Sequence, residues 1–115
     1  MPESCPLVER RCRPCEGGVE KLDPSAAEKL LAEVPDWELD APAGIIRRKY
    51  KFRDFRSALA FLNSIGGLAE QEQHHPDLHL TGYRHLKVEL KTHAIDGLSE
   101  NDFILAARIN ALSTD

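Results

Sequence analysis

The stretch EQEQHHPDLHLTGYRHLKVELKTH, residues 70–93, decides both the fold and the candidate chemistry of the chain. It gathers all five histidines of the sequence, namely His74, His75, His79, His85 and His93. An unperturbed imidazole has a pKa of ~6.5, so it donates and accepts protons near neutral pH. The cluster therefore indicates acid/base chemistry. The competing interpretation is that a single histidine at a helix or strand end is only solvated or hydrogen-bonded.

This stretch predicts the end of a helix followed by two strands. Pro76 ends the helix just past the histidine pair, Gly82 permits a turn, and apolar residues alternate with charged ones in the second strand (Leu86, Val88, Leu90). In an antiparallel pair, the start of one strand lies beside the end of the next. We therefore expect His93 to return towards His74 and His75. We interpret His79 and His85 as solvated or structural residues.

Glu70 precedes His74 by four residues on the predicted helix, so both should lie on one helix face. A carboxylate there can hold an imidazole in one tautomer and stabilise its charged form. The spacing therefore predicts that Glu70 supports His74.

Helix and strand signals continue on both sides of this stretch. A capping box from Ser25 to Glu28, or Asp23 followed by Pro24, predicts a helix over residues 25–33. Residues 37–39 and 45–52 flank a turn and predict a hairpin. Asp54 is the predicted N-cap of a second helix that runs towards Gln73, and the segment from Ser99 to Asp102 caps a third.

The order helix, two strands, helix, two strands, helix predicts an α+β fold. Its simplest arrangement is a four-stranded antiparallel sheet with three α-helices packed on one face. Gly66 and Gly67 interrupt the apolar stripe of the second helix without ending it. We expect another backbone to pack closely against the helix at these two residues.

Length and composition indicate one domain. The chain has 115 residues, a formal net charge of −4 and 42% hydrophobic residues, which is ordinary for a globular protein. We expect residues 1–21 to form an extended or poorly ordered arm and residues 22–115 a single domain. No apolar run reaches the length of a membrane span or signal peptide, so a cytoplasmic location is expected.

The charge balance argues against a nucleic-acid or membrane binder. We interpret the short basic run of Arg47, Arg48, Lys49 and Lys51 as solvated strand residues.

Two alternatives concern metals and thiols. Cys12 and Cys15 have the C-x-x-C spacing of a zinc or redox pair, with Cys5 nearby, but a structural zinc site needs four ligands, and incidental thiols are the simpler interpretation. A catalytic metal held by His74, His79 and His93 is suggested by ligand type alone.

Seven positions at fixed spacings carry a resemblance to a known family. They are Glu70, the His74-His75-Pro76 run, Tyr83, His93 and Asp102. Together they resemble the signature of the pterin-4a-carbinolamine dehydratases, over about residues 23–112. The CRPCEGG segment is also similar to the leader of bacterial members.

The resemblance implies an activity. It implies dehydration of 4a-hydroxytetrahydropterin to quinonoid dihydropterin, a step that recycles the tetrahydropterin cofactor of aromatic amino acid hydroxylases. It also implies homodimers or homotetramers assembled through sheet edges. Neither a metal nor a cofactor is implied, because the pterin is the substrate. Some relatives stabilise a transcription factor dimer or assist carboxylase assembly, so a dehydratase-like interaction or assembly protein is the alternative.

The resemblance also implies residue roles. His74 and His93 would form the acid/base pair, and His75 would bind and orient the pterin. Glu70 would support His74, and Asp102 would help to fix the loop that contains His93. The remaining predicted binding and support residues are Gln73, Pro76 and Thr92. Many family members carry an aspartate at the position of Gln73.

Overall fold

A computed structural model describes residues 7–9 and 20–112 of the chain. In this part of the chain there are three α-helices, four strands and two short 3₁₀ helices. The α-helices are α1 (Pro24–Leu31), α2 (Phe55–Glu72) and α3 (Glu100–Asn110), and the strands are β1 (Glu38–Asp40), β2 (Ile45–Lys51), β3 (Asp77–Thr81) and β4 (His85–Leu90). The 3₁₀ helices are Leu7–Glu9 and His93–Ile95. The predicted α+β fold and the predicted order of elements are confirmed.

The helices begin at side-chain caps that the sequence signals. The Asp23 carboxylate accepts a hydrogen bond from the Ala26 N–H at 2.8 Å, so α1 uses the Asp23-Pro24 start and not the Ser25 capping box. The Asp54 carboxylate accepts the Ser57 N–H at 2.8 Å and starts α2 as predicted. Each cap satisfies an N–H group that has no partner inside its helix.

The sheet has the strand order β1-β2-β4-β3, and every neighbouring pair is antiparallel. Asp77 at the start of β3 pairs with Glu89 near the end of β4. Residues 74–76, which precede β3, and residues 92–93, which follow β4, therefore lie at the same end of the sheet.

The core lies between one face of the sheet and the helices. Alternate strand residues and the apolar stripes of the helices are buried there, including Ile46, Leu86, Val88, Leu90, Phe61, Ile65, Phe103 and Ile104. The indole N–H of Trp37, the residue before β1, donates to the side-chain oxygen of Asn110 at the end of α3 at 2.8 Å. Among the described residues, the opposite face of the sheet carries no helix and is lined mainly by polar side chains.

The glycine pair in α2 differs from the prediction. The helix runs unbroken through Gly66 and Gly67, and a Cβ added at either residue would meet no atom within 4 Å. Within the described residues of this chain, the expected close approach of a second backbone is therefore wrong. The same helix exposes 49% of Phe55 and 37% of Leu59.

Five residues of the predicted N-terminal arm are described, namely residues 7–9 and 20–21. Leu7–Glu9 forms a 3₁₀ helix, and Leu7 is buried in the core cluster. Cys5, Cys12 and Cys15 lie outside the described residues. The division of the chain at residues 21 and 22 stays a prediction. In the described part, no helix is long and apolar enough to cross a membrane.

Candidate active site

A buried histidine–carboxylate pair lies at the end of the sheet where β3 begins. His74 Nε2 is 2.7 Å from Oδ1 of Asp102, and the two side chains are only 5% and 0% exposed. Asp102 lies in the first turn of α3, where its carboxylate and Ser99 form a capping box. The pair therefore fixes the segment after α2 to the start of α3, and a buried charge of this kind requires such partners.

The chain turns sharply between α2 and this pair. Gln73 has a left-handed conformation with φ of 55°, and its N–H caps the helix by donating to the Ala69 and Glu70 carbonyls. Its side-chain amide also donates to the Glu70 carbonyl at 2.7 Å. The helix consequently ends at Glu72, four residues before Pro76, and His74 leaves the helix face that the sequence assigned to it.

This turn overturns the predicted pairing of Glu70 with His74. The Glu70 carboxylate instead lies 2.6 Å from Nε2 of His75, and these side chains are 73% and 57% exposed. The helical four-residue spacing holds only while both residues belong to the helix. Because Gln73 ends it, Glu70 contacts the exposed His75 and Asp102 contacts the buried His74.

The second oxygen of Asp102 connects the pair to the end of β4. Asp102 Oδ2 accepts the Thr92 hydroxyl at 2.8 Å and the Ser99 backbone N–H at 2.9 Å. The Thr92 and Ser99 hydroxyl oxygens are 2.7 Å apart, and both residues are fully buried. Since the Thr92 proton is donated to Asp102, the Ser99 hydroxyl must donate to Thr92.

The hydrogen-bond directions fix the proton positions in this network. The Thr92 hydroxyl and the Ser99 N–H both donate to Asp102 Oδ2, so this oxygen carries no proton, and an ionised Asp102 accepts at both of its oxygens. His74 must then carry a proton on Nε2 in order to donate to Oδ1. A neutral His74 is therefore held as the Nε2–H tautomer, and a charged His74 is stabilised by the same carboxylate.

His93 begins the loop that follows β4. It is exposed and starts the 3₁₀ helix His93–Ile95. The loop is closed by the Thr92 N–H, which donates to the Gly97 carbonyl at 2.8 Å, and by the contact of Lys91 Nζ with Asp96 at 2.7 Å. The hydrogen bond from Lys91 lowers the pKa of Asp96. Asp102 is thus hydrogen-bonded to Thr92, the residue that precedes His93.

The other histidines of the cluster lie away from this network. His79 contacts Glu89 at 3.1 Å on the polar face of the sheet, and His85 starts β4 after the turn that contains Tyr83. Within residues 7–9 and 20–112, no group of three or more His, Cys, Asp or Glu side chains could hold a metal ion. His74, His79 and His93 are therefore not brought together as a ligand set.

Sequence reasoning missed two features of the site. It assigned Ser99 only as a helix cap, whereas its hydroxyl also contacts Thr92. It placed Asp102 beside the His93 loop but not against His74, which lies 28 residues away in the sequence. No local spacing signals a contact over that separation.

The chain is similar in sequence to known proteins of one family. Residues 20–112 match the family model described as pterin 4 alpha carbinolamine dehydratase. A protein from Halorhodospira halophila, provisionally named pterin-4-alpha-carbinolamine dehydratase, is 50% identical over 106 residues, which cover 92% of this chain and 96% of that protein. A protein of the same provisional name from Methylococcus capsulatus is 43% identical over 98% of both chains.

Solved structures share the fold. A transcriptional coactivator/pterin dehydratase from Brucella melitensis superposes with a TM-score of 0.75 at 30% identity, covering 80% of this chain and 97% of that one. A pterin dehydratase-like protein identified as a RuBisCO assembly factor in the alpha-carboxysome has a TM-score of 0.56 at 21% identity, covering 66% of this chain and 87% of that one. The second likeness concerns the fold alone.

Proposed function

Because the chain belongs to the pterin 4 alpha carbinolamine dehydratase family, we propose that it is a hydro-lyase that dehydrates 4a-hydroxytetrahydropterin. The products are quinonoid dihydropterin and water. The reaction is a step in recycling the tetrahydropterin cofactor of an aromatic amino acid hydroxylase. The observation that carries the proposal is the buried Asp102 carboxylate, which contacts His74 through one oxygen and Thr92, next to His93, through the other.

The reaction needs one acid and one base. The C4a–O bond breaks as an acid protonates the leaving hydroxyl group, and a base removes the proton from the neighbouring ring nitrogen as the C=N bond forms. No electrons are gained or lost, so no oxidant or reductant is required. Two imidazoles can supply both proton transfers near pH 7, each contributing about 10²–10⁴-fold to the rate.

We assign this pair to His74 and His93. His74 is the oriented member, because Asp102 holds its Nε2–H and can stabilise its charged form. His93 is the exposed member, at the start of a loop that hydrogen bonds close on both sides. His75 binds and orients the pterin, since it lies beside His74 and remains 57% exposed. Glu70 supports His75 in that role.

The remaining predicted support residues shape this end of the sheet. Gln73 supplies the left-handed turn that directs His74 inward. Pro76 separates the histidine pair from β3, and Thr92 links Asp102 to the His93 loop. The proposed reaction uses no metal and no cofactor, since the pterin is the substrate. We also propose a cytoplasmic location for the protein.

A direct assay tests the activity. Purified protein is mixed with 4a-hydroxytetrahydropterin generated in place by a hydroxylase, and formation of the quinonoid product is followed with and without a chelator. The proposal expects acceleration over the spontaneous reaction and no effect of the chelator. An unchanged rate at saturating protein would contradict it.

The exposed face of α2 supports a homo-oligomer. Phe55 and Leu59 are large apolar side chains exposed to solvent, and Gly66 on the same helix leaves open space above its backbone. Small residues let a second helix approach closely, and exposed apolar residues favour such contacts. We propose that the face formed by Phe55, Leu59 and Gly66, here called the α2 face, packs against another copy of the chain.

The α2 face also favours a second candidate function, a dehydratase-like interaction or assembly protein. The same apolar surface could be covered by a different macromolecule. A pull-down that recovers a stoichiometric partner, together with no turnover of the pterin, would support this second function. Turnover by a pure homo-oligomer would eliminate it.

A further inference from the structure

The face of the sheet that carries no helix has an uneven charge distribution that the proposed dehydration does not use. We call it the open sheet face. Because successive strand side chains point to opposite faces, it is formed by the residues that alternate with the core positions of each strand: Glu38, Asp40, Ile45, Arg47, Lys49, Lys51, Asp77, His79, Thr81, His85, Lys87 and Glu89.

The strand register arranges these residues in rows across the sheet. One row is mixed in charge and contains Glu38, Arg47, Glu89 and Asp77. The next two rows contain no carboxylate. They are Lys49, Lys87 and His79, followed by Lys51, His85 and Thr81. The open sheet face is therefore mixed in charge at one end, and at the other end it carries lysines, histidines and a threonine but no carboxylate.

One carboxylate, that of Glu89, contacts cationic or imidazole groups on both sides of the boundary between the two ends. Glu89 lies 3.1 Å from Nε of Arg47, 3.1 Å from Nε2 of His79 and 3.9 Å from Nζ of Lys87. Burial alone would raise the pKa of Glu89, but the hydrogen bonds from Arg47 and His79 outweigh it and lower that pKa. Glu89 is thus already shared among Arg47, Lys87 and His79.

Lys49, Lys51 and His85 have no carboxylate partner of this kind among the described residues. Among residues 7–9 and 20–112, no carboxylate forms an ion pair with Lys49, Lys51 or His85. Lys49 stands directly opposite Lys87, and Lys51 stands directly opposite His85. The two ammonium groups of the Lys49–Lys87 pair are like charges, and like charges placed opposite one another across two strands are destabilising.

Protection of a sheet edge does not explain this arrangement. Lysines often guard edge strands against pairing with other chains. Here the three lysines lie on β2 and β4, which are the two central strands of the order β1-β2-β4-β3. The edge strands instead carry Glu38, Asp40 and Asp77 on this face.

We propose that the basic rows of the open sheet face bind a compact ligand that carries two or three phosphate groups. A groove of about 330 Å³ is lined there by Lys49, His79, Thr81, His85 and Lys87, together with Tyr50 and Leu86. Lysine ammonium groups bind phosphate as point charges, and the threonine hydroxyl can donate to it. The ligand would supply the negative charge that this end of the sheet lacks.

The size of the basic region selects a compact ligand. Three strands ~4.8 Å apart and two rows ~7 Å apart give a region about 10 Å across. A nucleic-acid strand would extend past it onto the row that contains Glu38, Asp77 and Glu89. The net charge of −4 for the whole chain also opposes a long polyanion.

Titration with tripolyphosphate at 0.15 M salt tests the proposal, using calorimetry and the NMR shifts of lysine side chains. The double variant Lys49→Gln/Lys87→Gln should weaken binding at least about tenfold, because each charge-assisted hydrogen bond is worth about that factor. Its melting temperature should not fall, since the substitutions remove a repulsive pair. Dehydratase turnover should stay unchanged, so a failure here is distinct from a failure of the proposed function.

A matched control removes two cations from the helix side of the molecule. The variant Lys29→Gln/Arg56→Gln changes two exposed residues, one on α1 and one on α2, and should bind tripolyphosphate like the wild type. Absence of saturable binding by the wild type would overturn the proposal. Equal losses in both double variants would overturn it too, as would a single-stranded oligonucleotide that competes as tightly as tripolyphosphate.

Discussion

Replacing Asp102 with asparagine should reverse the tautomer of His74 while preserving the shape of the site. The Ser99 N–H is a fixed donor that points at Asp102 Oδ2 from 2.9 Å. The amide oxygen of an asparagine must therefore occupy the Oδ2 position, and its NH₂ group must face His74. Nε2 of His74 then has to accept a proton where it now donates one, so the neutral ring becomes the Nδ1–H tautomer.

The magnitude follows from the loss of the carboxylate. Asparagine cannot stabilise a charged His74 in a fully buried position, so we expect kcat to fall by about 10²–10⁴-fold, the usual contribution of a positioned acid or base. This corresponds to about 3–5 kcal/mol in the activation barrier. Where another enzyme holds a histidine by a buried carboxylate, an amide in its place also reduces kcat by about 10⁴-fold through the wrong tautomer.

Two measurements test the expected changes in the tautomer of His74 and in kcat. Imidazole ¹⁵N chemical shifts report which nitrogen of His74 carries the proton, and turnover of 4a-hydroxytetrahydropterin reports kcat. Asp77→Asn is the matched control, because it makes the same chemical change at an exposed carboxylate on the open sheet face. A proton retained on Nε2 of His74 in the Asp102→Asn variant would contradict this role of Asp102. So would a kcat within about threefold of the wild type while the fold is intact.

Three further predictions concern other parts of the molecule. His75→Ala should raise KM far more than it lowers kcat, since His75 and its partner Glu70 are exposed and lie outside the buried network; steady-state kinetics that show only a kcat effect would contradict this. Leu59→Glu should reduce the oligomer size measured by light scattering, whereas Val8→Glu, at a residue of nearly equal exposure (38% against 37%), should not. Tyr50→Phe should stabilise the fold by about 1 kcal/mol in chemical denaturation, because the buried Tyr50 hydroxyl has no hydrogen-bond partner among the described residues; a loss of stability would show that this hydroxyl is satisfied.

Local signals in the sequence predicted most of the fold. The caps at Asp54 and at Ser99 with Asp102 are contacts between residues three apart, so the sequence displays both partners together. The half-buried strand β4 was equally clear, because its apolar residues alternate with charged ones. These features depend on neighbours along the chain and need no knowledge of the tertiary structure.

The site was predicted less completely, because its contacts join distant residues. The sequence predicted that the histidines share one end of the sheet from the antiparallel order of two consecutive strands, and the structure shows this order in the pairing of Asp77 with Glu89. The partner of His74 did not follow, because the left-handed turn at Gln73 redirects its side chain to Asp102. Nor could a basic run in one strand reveal that Lys87 of a neighbouring strand lies opposite Lys49.

The assignment of His74 and His93 as the acid/base pair is tested most directly by comparing single-turnover rates of the wild type, His74→Ala and His93→Ala with 4a-hydroxytetrahydropterin. We expect the wild type to accelerate dehydration and each substitution to slow it by about 10²–10⁴-fold. Full activity in both variants, or a wild type no faster than the spontaneous reaction, would contradict it.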